Sequence, residues 1–338
     1  MIGSVRTDGS APVSITGLGC QVPERVLTND ELSRMVDTTD EWIVSRTGIR
    51  ERRIAAPDEA LSDIAIPAAR TALERANVRP EDLDLIIVTT VTPDMLFPTT
   101  AAILGDVLPS PDAAAYDLLA GCTGFVYGVA QAYGMVAAGL SEKALVVGGD
   151  VLSKILDWTD RSTCVLFGDG CGAVVLERVD EGGFLGFELG ADGGGGSYLL
   201  LPGSGSRALE DGNRPNVIHM HGPEVYKFAT RVLVSSAQDL MAKCGVTTAD
   251  VDLYIPHQAN LRIIDHAVRQ LGIAKDRVMI NVDRYGNTSS GSIPIALSEA
   301  LAAGRVQKGD LILMTGMGAG LTWGSALLEW TGERETWQ

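Results

Sequence analysis

The chain repeats itself, and the repeat limits what it can fold into. Residues 78–87 read Val-Arg-Pro-Glu-Asp-Leu-Asp-Leu-Ile-Ile, and 168 positions later residues 246–255 read Val-Thr-Thr-Ala-Asp-Val-Asp-Leu-Tyr-Ile. A second match has a spacing of 165. Setting Gly121-Cys122 on Gly286-Asn287 also sets Ala137-Ala138-Gly139 on Ala302-Ala303-Gly304, with an apolar strand pattern following in both copies. Each copy reads as buried strand, turn, apolar helix and strand, and neither can cover its apolar faces alone. Two such βαβ-rich halves should pack face to face as layered sheets and helices. The repeat therefore predicts an α/β fold with a pseudo-dyad, residues 13–180 forming one half and 181–338 the other. It also predicts equivalent strand-to-helix turns for Cys122 and Asn287.

At 338 residues and 46% hydrophobic, the chain can bury a large core. Its formal net charge of −16 argues against general nucleic-acid binding and against an anionic membrane surface, so any anionic ligand must meet a local basic patch. Five scattered cysteines without C-x-x-C spacing indicate neither a disulfide framework nor a zinc site, and they fit a reducing cytoplasm. Residues 1–12 lack an apolar signal core and read as a loose leader. The run from Phe125 to Leu140 is short for a membrane span and contains Gln131, so a buried helix is expected. Gly17-Leu18-Gly19 has Val22 where a dinucleotide fingerprint needs its third glycine. The glycines around Phe167-Gly168-Asp169-Gly170 suit close packing, the stretches 193–196 and 202–215 read as loops, and His219-Met220-His221 lacks further ligands for a metal.

Chemistry concentrates at three turns. Cys122 lies in Ala120-Gly121-Cys122-Thr123-Gly124-Phe125, where the strand-like run 113–119 gives way to a helical pattern. A thiol at the first turn of a helix faces unpaired N–H groups and the positive end of the macrodipole, which favours thiolate; a buried structural cysteine is the alternative. By the repeat, His257 stands where Thr89 stands in the first copy, just past a buried strand. Cys122, His257 and Asn287 thus all fall at strand ends, where open sheets bind ligands. Elsewhere Trp42 and Arg46 are spaced to share a helix face, fit to stack a planar ring and pair with phosphate, or else to be a half-buried Trp beside a solvated Arg.

With these strings in view, the chain resembles the β-ketoacyl-acyl-carrier-protein synthase III family, initiating condensing enzymes of type II fatty-acid synthesis in the thiolase superfamily. The carriers are Asp40-Glu41-Trp42-Ile43 with Arg46-Thr47-Gly48-Ile49-Arg50, Gly121-Cys122-Thr123-Gly124-Phe125, Phe167-Gly168-Asp169-Gly170, Pro256-His257-Gln258-Ala259-Asn260-Leu261-Arg262, Gly286-Asn287-Thr288-Ser289 and Thr322-Trp323-Gly324-Ser325-Ala326. The resemblance implies a thiolase-like duplicated fold of five layers, α-β-α-β-α. It implies a triad of Cys122, His257 and Asn287, with the backbone N–H groups of Cys122 and Ala319 as oxyanion hole. Coenzyme A binding is implied for Thr38, Trp42, Arg46, Arg161, Gly222 and Asn260, acyl-carrier-protein binding for Arg262 and Lys227, and acyl-pocket roles for Phe97, Met317 and Leu321. The expected reaction joins an acyl coenzyme A primer to malonyl-acyl carrier protein, without a permanently bound cofactor or metal, in a cytoplasmic homodimer. Met317 and Leu321 stand where phenylalanines are common, and Ala319 interrupts a usual run of three glycines, which bears on primer size. The alternatives are a related enzyme priming a polyketide or other secondary metabolite, a cysteine hydrolase, and a non-catalytic carrier-binding scaffold.

Overall fold

The structure is a computed structural model that describes residues 11–203, 205–206 and 216–332. Almost all of the expected leader at 1–12, and most of the expected loop at 202–215, lie outside the described residues. The chain opens with β1 (Val13–Gln21) and a ribbon of β2 (Arg25–Thr28) and β3 (Glu51–Ile54), joined through α1 (Asn29–Leu32) and α2 (Asp40–Thr47). There follow α3 (Leu61–Ala76), β4 (Leu85–Thr89), α4 (Thr100–Val107), β5 (Ala114–Leu118), α5 (Gly124–Ala137), β6 (Lys143–Asp150) and β7 (Gly170–Arg178). A second run holds β8 (Gly183–Ala191), the small pair β9 (Leu199–Leu200) and β10 (His219–Met220), α6 (Gly222–Cys244), β11 (Leu253–Pro256), α7 (Leu261–Leu271) and α8 (Val282–Tyr285). It closes with α9 (Ser292–Ala302), β12 (Leu311–Gly318) and β13 (Thr322–Glu329).

Two main sheets result, ordered β1-β7-β6-β4-β5 and β8-β13-β12-β11. From one end the two orders correspond, with β4 parallel to β6 as β11 is to β12, and antiparallel pairing elsewhere along the shared core. The chain passes from one sheet to the other between Arg178 and Gly183. In the second sheet the counterpart of β5 is reduced to one parallel bridge, Tyr254 to Val278. Helices α5 and α9 lie between the sheets and touch both, while α3 and α4 cover the first and α6 covers the second with α7 packed on it. The order is thus the five layers α-β-α-β-α. In the central layer Phe125, Val129, Ile293 and Leu297 are buried in one cluster with residues of both sheets.

Close approach explains the first glycine pair. A Cβ on Gly17 would lie 2.0 Å from the Ala72 carbonyl oxygen, and one on Gly19 would lie 2.2 Å from that of Ala68. The alanine face of α3 therefore rests directly on the backbone of β1, which needs no ligand to account for Gly17-Leu18-Gly19.

The repeat is real, but its register differs from the one the sequence suggests. Strands β4 and β11, and β6 and β12, start 168 residues apart. So do two 3-10 turns, Gly121–Thr123 and Ser289–Gly291, whose first residues share a left-handed backbone, φ 57° at Gly121 and 51° at Ser289. Cys122 therefore corresponds to Ser290, not to Asn287. The 165-residue spacing holds only at the ends of the two helices, because α9 has 11 residues against 14 in α5, and the spacing is again 168 at β6 and β12.

Candidate active site

Cys122 sits in the 3-10 turn that runs straight into α5. Strand β12 comes so close that a Cβ on Gly318 would lie 2.5 Å from the Cys122 nitrogen, and a Cβ on Gly121 would lie 2.7 Å from the Ala319 nitrogen. Only glycine permits this contact, which brings the backbone nitrogens of Cys122 and Ala319 to the same spot. The thiol itself is not poised as the sequence suggests. Burial pushes it up to about 12; the Ser289 side chain pulls it down, and the Asp150 carboxyl pushes it up again. Loss of water around sulfur outweighs the helix end, so the resting group is a thiol rather than a thiolate.

Asp150, at the end of β6, is fully buried. Its Oδ1 accepts the Val91 N–H at 2.7 Å and the Thr90 hydroxyl at 2.8 Å, and its Oδ2 accepts the Ser290 hydroxyl at 3.0 Å. Burial raises its pKa. This carboxyl ties the turn after β4 to the turn before α9, behind Cys122.

His257 follows β11, and its N–H donates to the Thr315 carbonyl at 2.7 Å, extending the strand pairing by one residue. Its Nδ1 lies 2.6 Å from Ser292 Oγ, and its buried Nε2 has no partner among the described residues. Burial drives the ring's pKa down to about 3, so it is neutral at physiological pH. Asn287 is gripped on both sides of its peptide, by Leu166 O at 2.9 Å and the Gly168 N–H at 3.0 Å. Its Oδ1 accepts the Ser289 N–H at 2.8 Å, which leaves the amide NH2 as a donor.

Cys122, His257, Asn287 and Met317 line one cavity of about 150 Å³, together with Gly222 and Asn260. On its other side Cys122 borders a wider cavity of about 850 Å³, walled by aliphatic residues such as Leu119, Leu152, Ile155 and Ile218, with Ser289 and Ala319 at its rim. The thiol thus stands where the two cavities meet.

The residues expected to hold coenzyme A form a path outward from that point. Asn260 caps α7 by accepting the Arg262 N–H at 2.8 Å and donates to the Arg46 carbonyl at 3.2 Å, tying α7 to α2. On α2 the Arg46 guanidinium carbon lies 4.5 Å from the centre of the Trp42 ring, so the two do share a face. The Arg161 guanidinium lies 5.2 Å from the same ring and is held by the Asp37 carbonyl at 2.8 Å. Thr38 keeps a buried hydroxyl without a partner.

Arg262 is exposed with its guanidinium 5.7 Å from the Tyr226 ring, whereas Lys227 is paired with Glu224 at 2.7 Å, which dilutes its charge. Phe97 is 85% exposed and does not line its own chain's wide cavity, although Met95 and Leu96 do. Leu321 departs from its expected place. It packs with Met317 and Phe228 in a separate cluster under Gly195, and it lines neither cavity beside Cys122. The cause is its backbone, which exchanges hydrogen bonds with Asp192 at 2.8 and 3.0 Å and so turns away from the thiol.

Sequence reasoning passed over Asp150, Ser289 and Ser292. None stands in a spacing that signals chemistry, and only the meeting of β6, α9 and the two 3-10 turns brings them to the site. The aliphatic wall of the wide cavity is equally scattered along the chain.

Residues 116–193 match the family model described as 3-oxoacyl-[acyl-carrier-protein (ACP)] synthase III, and residues 241–330 match the one for its C terminal part. A β-ketoacyl-[acyl-carrier-protein] synthase III of Symbiobacterium thermophilum is 55% identical over 94% of this chain and 98% of its own. The solved synthase III of Thermus thermophilus is 51% identical with a TM-score of 0.90, covering 94% of this chain and 99% of that one. The priming β-ketosynthase of the R1128 polyketide pathway has the same TM-score of 0.90 at 36% identity, covering 96% and 98%. At more than half identity over nearly its whole length, the chain belongs to the β-ketoacyl-[acyl-carrier-protein] synthase III family and is a condensing acyltransferase.

Proposed function

We propose that the chain joins an acyl coenzyme A primer to malonyl-acyl carrier protein, giving 3-oxoacyl-acyl carrier protein, carbon dioxide and coenzyme A, and so starts type II fatty-acid synthesis. The observation that carries this reading is the shared cavity of Cys122, His257 and Asn287. In the first step Cys122 sulfur attacks the thioester carbonyl, the carbonyl oxygen meets the backbone N–H groups of Cys122 and Ala319, and coenzyme A leaves with the proton the thiol gives up. In the second, malonyl thioester loses carbon dioxide, and the enolate oxygen needs donors rather than a base. A neutral imidazole and an amide NH2 supply them. The new carbanion attacks the carbonyl of the acyl-cysteine and expels Cys122 as a thiolate, which takes a proton from water to return to the thiol.

Trp42, Arg46, Thr38, Arg161, Gly222 and Asn260 line the route for coenzyme A. At its present spacing Arg161 leaves no room for a ring on Trp42, so stacking requires its half-exposed side chain to swing outward. Arg262, with Lys227 secondary, receives the acidic carrier protein. The apolar wide cavity takes the primer, with Met317 on the opposite side of the thiol. Strand β5 has no buried residue, and Leu96, Phe97 and Leu119 beside it are 69%, 85% and 76% exposed, which suits a homodimer built on this edge with Phe97 reaching the partner's cavity. Among the described residues no helix is long and apolar enough to cross a membrane; a cytoplasmic enzyme is our reading. Identity to the Symbiobacterium and Thermus synthases III, 55% and 51%, exceeds the 36% to the polyketide priming enzyme and favours the fatty-acid role. Carbon dioxide release from malonyl-acyl carrier protein, measured over a panel of acyl coenzyme A primers, tests the reaction; release that needs no primer, or none with any primer, overturns it.

A further inference from the structure

Ser292, the first residue of α9, is 2% exposed, and its hydroxyl oxygen has two partners, the Gln258 N–H at 3.3 Å and His257 Nδ1 at 2.6 Å. A backbone N–H can only donate, so Ser292 Oγ accepts there, and the hydroxyl hydrogen has Nδ1 as its acceptor. Were Nδ1 to carry the imidazole proton, Ser292 Oγ would accept twice and its own hydrogen would be left buried without a partner. With the proton on Nε2 every donor and acceptor around Ser292 is satisfied, and the group there without a partner among the described residues is Nε2, the nitrogen left for the cavity.

We propose that Ser292 is a positioning residue that holds His257 in the tautomer with its proton on Nε2. The first half of the chain gives the contrast. There the corresponding pair is Thr89 and Gly124, and a Cβ on Gly124 would lie 3.0 Å from Thr89 Cβ. The same contact between strand end and helix start thus exists in both halves, and it carries a hydrogen-bonded pair only where an imidazole must be aimed. The inference rests on the reading that His257 donates to the enolate; without Ser292 the ring can present a lone pair to the developing negative charge and oppose it.

The test is nitrogen-15 NMR of the full chain with labelled histidine at neutral pH, the His257 signals being assigned by their loss in His257→Gln. The expected wild-type result is a protonated Nε2 and an unprotonated Nδ1. In Ser292→Ala the two tautomers should mix, and carbon dioxide release from malonyl-carrier protein by the acylated enzyme should fall about 10- to 100-fold. Acylation of Cys122 by acetyl coenzyme A, followed by mass spectrometry, should stay within about twofold, and Ser292→Thr, which keeps the hydroxyl, should restore the wild-type tautomer. A wild-type proton on Nδ1, or a tautomer unmoved by Ser292→Ala, overturns the proposal, and the wild-type spectrum alone decides it should Ser292→Ala not fold. Should the tautomer mix as expected while His257→Ala releases carbon dioxide at the wild-type rate, the positioning by Ser292 stands and the donor role of His257 falls.

Discussion

The turns Gly121-Cys122-Thr123 and Ser289-Ser290-Gly291 have the same backbone and opposite uses. Both are 3-10 turns that enter a central helix, and both begin with a residue in the left-handed region. In the first, the middle side chain is a thiol at the junction of two cavities. In the second it is a buried hydroxyl that reaches the Thr89 carbonyl at 2.7 Å and Asp150 at 3.0 Å. The difference teaches that this geometry alone makes no nucleophile. What matters is which side of the turn has room for a substrate, and the second half uses its own open side, three residues earlier, to present Asn287.

The comparison breaks most completely if the thiol is removed. Cys122→Ser makes the two turns alike in chemistry, and mass spectrometry after incubation with acetyl coenzyme A should find no acyl-enzyme; an adduct on any other cysteine would sink the assignment. Next come the donors of the second half. His257→Ala or Asn287→Ala should slow carbon dioxide release roughly 100- to 1000-fold, about 2.7–4 kcal/mol for a lost oxyanion donor, with acylation of Cys122 nearly intact. Equal losses in both half-reactions would erase the division of labour between the halves. Arg262→Glu should raise KM for malonyl-carrier protein about tenfold at low salt, with less effect at high salt and none on acylation by acetyl coenzyme A. A salt-insensitive, unchanged KM would remove Arg262 from the carrier site.

Subtler effects sharpen the contrast. Ser290→Ala, at the position equivalent to Cys122, should still form the acyl-enzyme but lose about 1–3 kcal/mol in denaturant unfolding, because Asp150 and Thr89 lose a buried donor. Acid should reveal His257. Its pKa is near 6.5 unfolded and about 3 folded, so between these values the unfolded chain binds the extra proton. Its contribution to stability is therefore complete above pH 6.5 and is lost as pH falls, by up to about 1.4 kcal/mol per pH unit. Denaturation midpoints of His257→Gln should show a shallower decline over that window.

Much of this was legible in the sequence because burial leaves a pattern. Strands β4, β6 and β11 are continuous apolar runs, and the matched Asp-apolar-Asp pairs before β4 and β11 announce the duplication. The register slipped because a motif match counts residues and cannot see that a helix has lost a turn's worth of length, nor that Ser289 holds a φ usually left to glycine. The meeting of Cys122, His257 and Asn287 at one cavity was legible through their residue types, but the state of the thiol was not. A helix start is visible in sequence, whereas the burial that overrides it, the Asp150 charge that adds to it and the Ser289 hydrogen bond that opposes it come from distant segments. Leu321 shows the same limit, since a position in a loop does not say which way its backbone ladder turns it.

The loss of a fifth strand in the second half reaches beyond the single chain. Where the first sheet ends in β5, a strand with every residue at least partly uncovered, the second ends in β11, whose four residues are all buried and whose flank is closed by the Val278 bridge. Had the duplication been complete, each chain would have offered two similar uncovered edges, and edge-to-edge addition could have continued from chain to chain without limit. With one such edge, the proposed pair related by a two-fold axis would use it up on both sides, and assembly would stop at a closed unit.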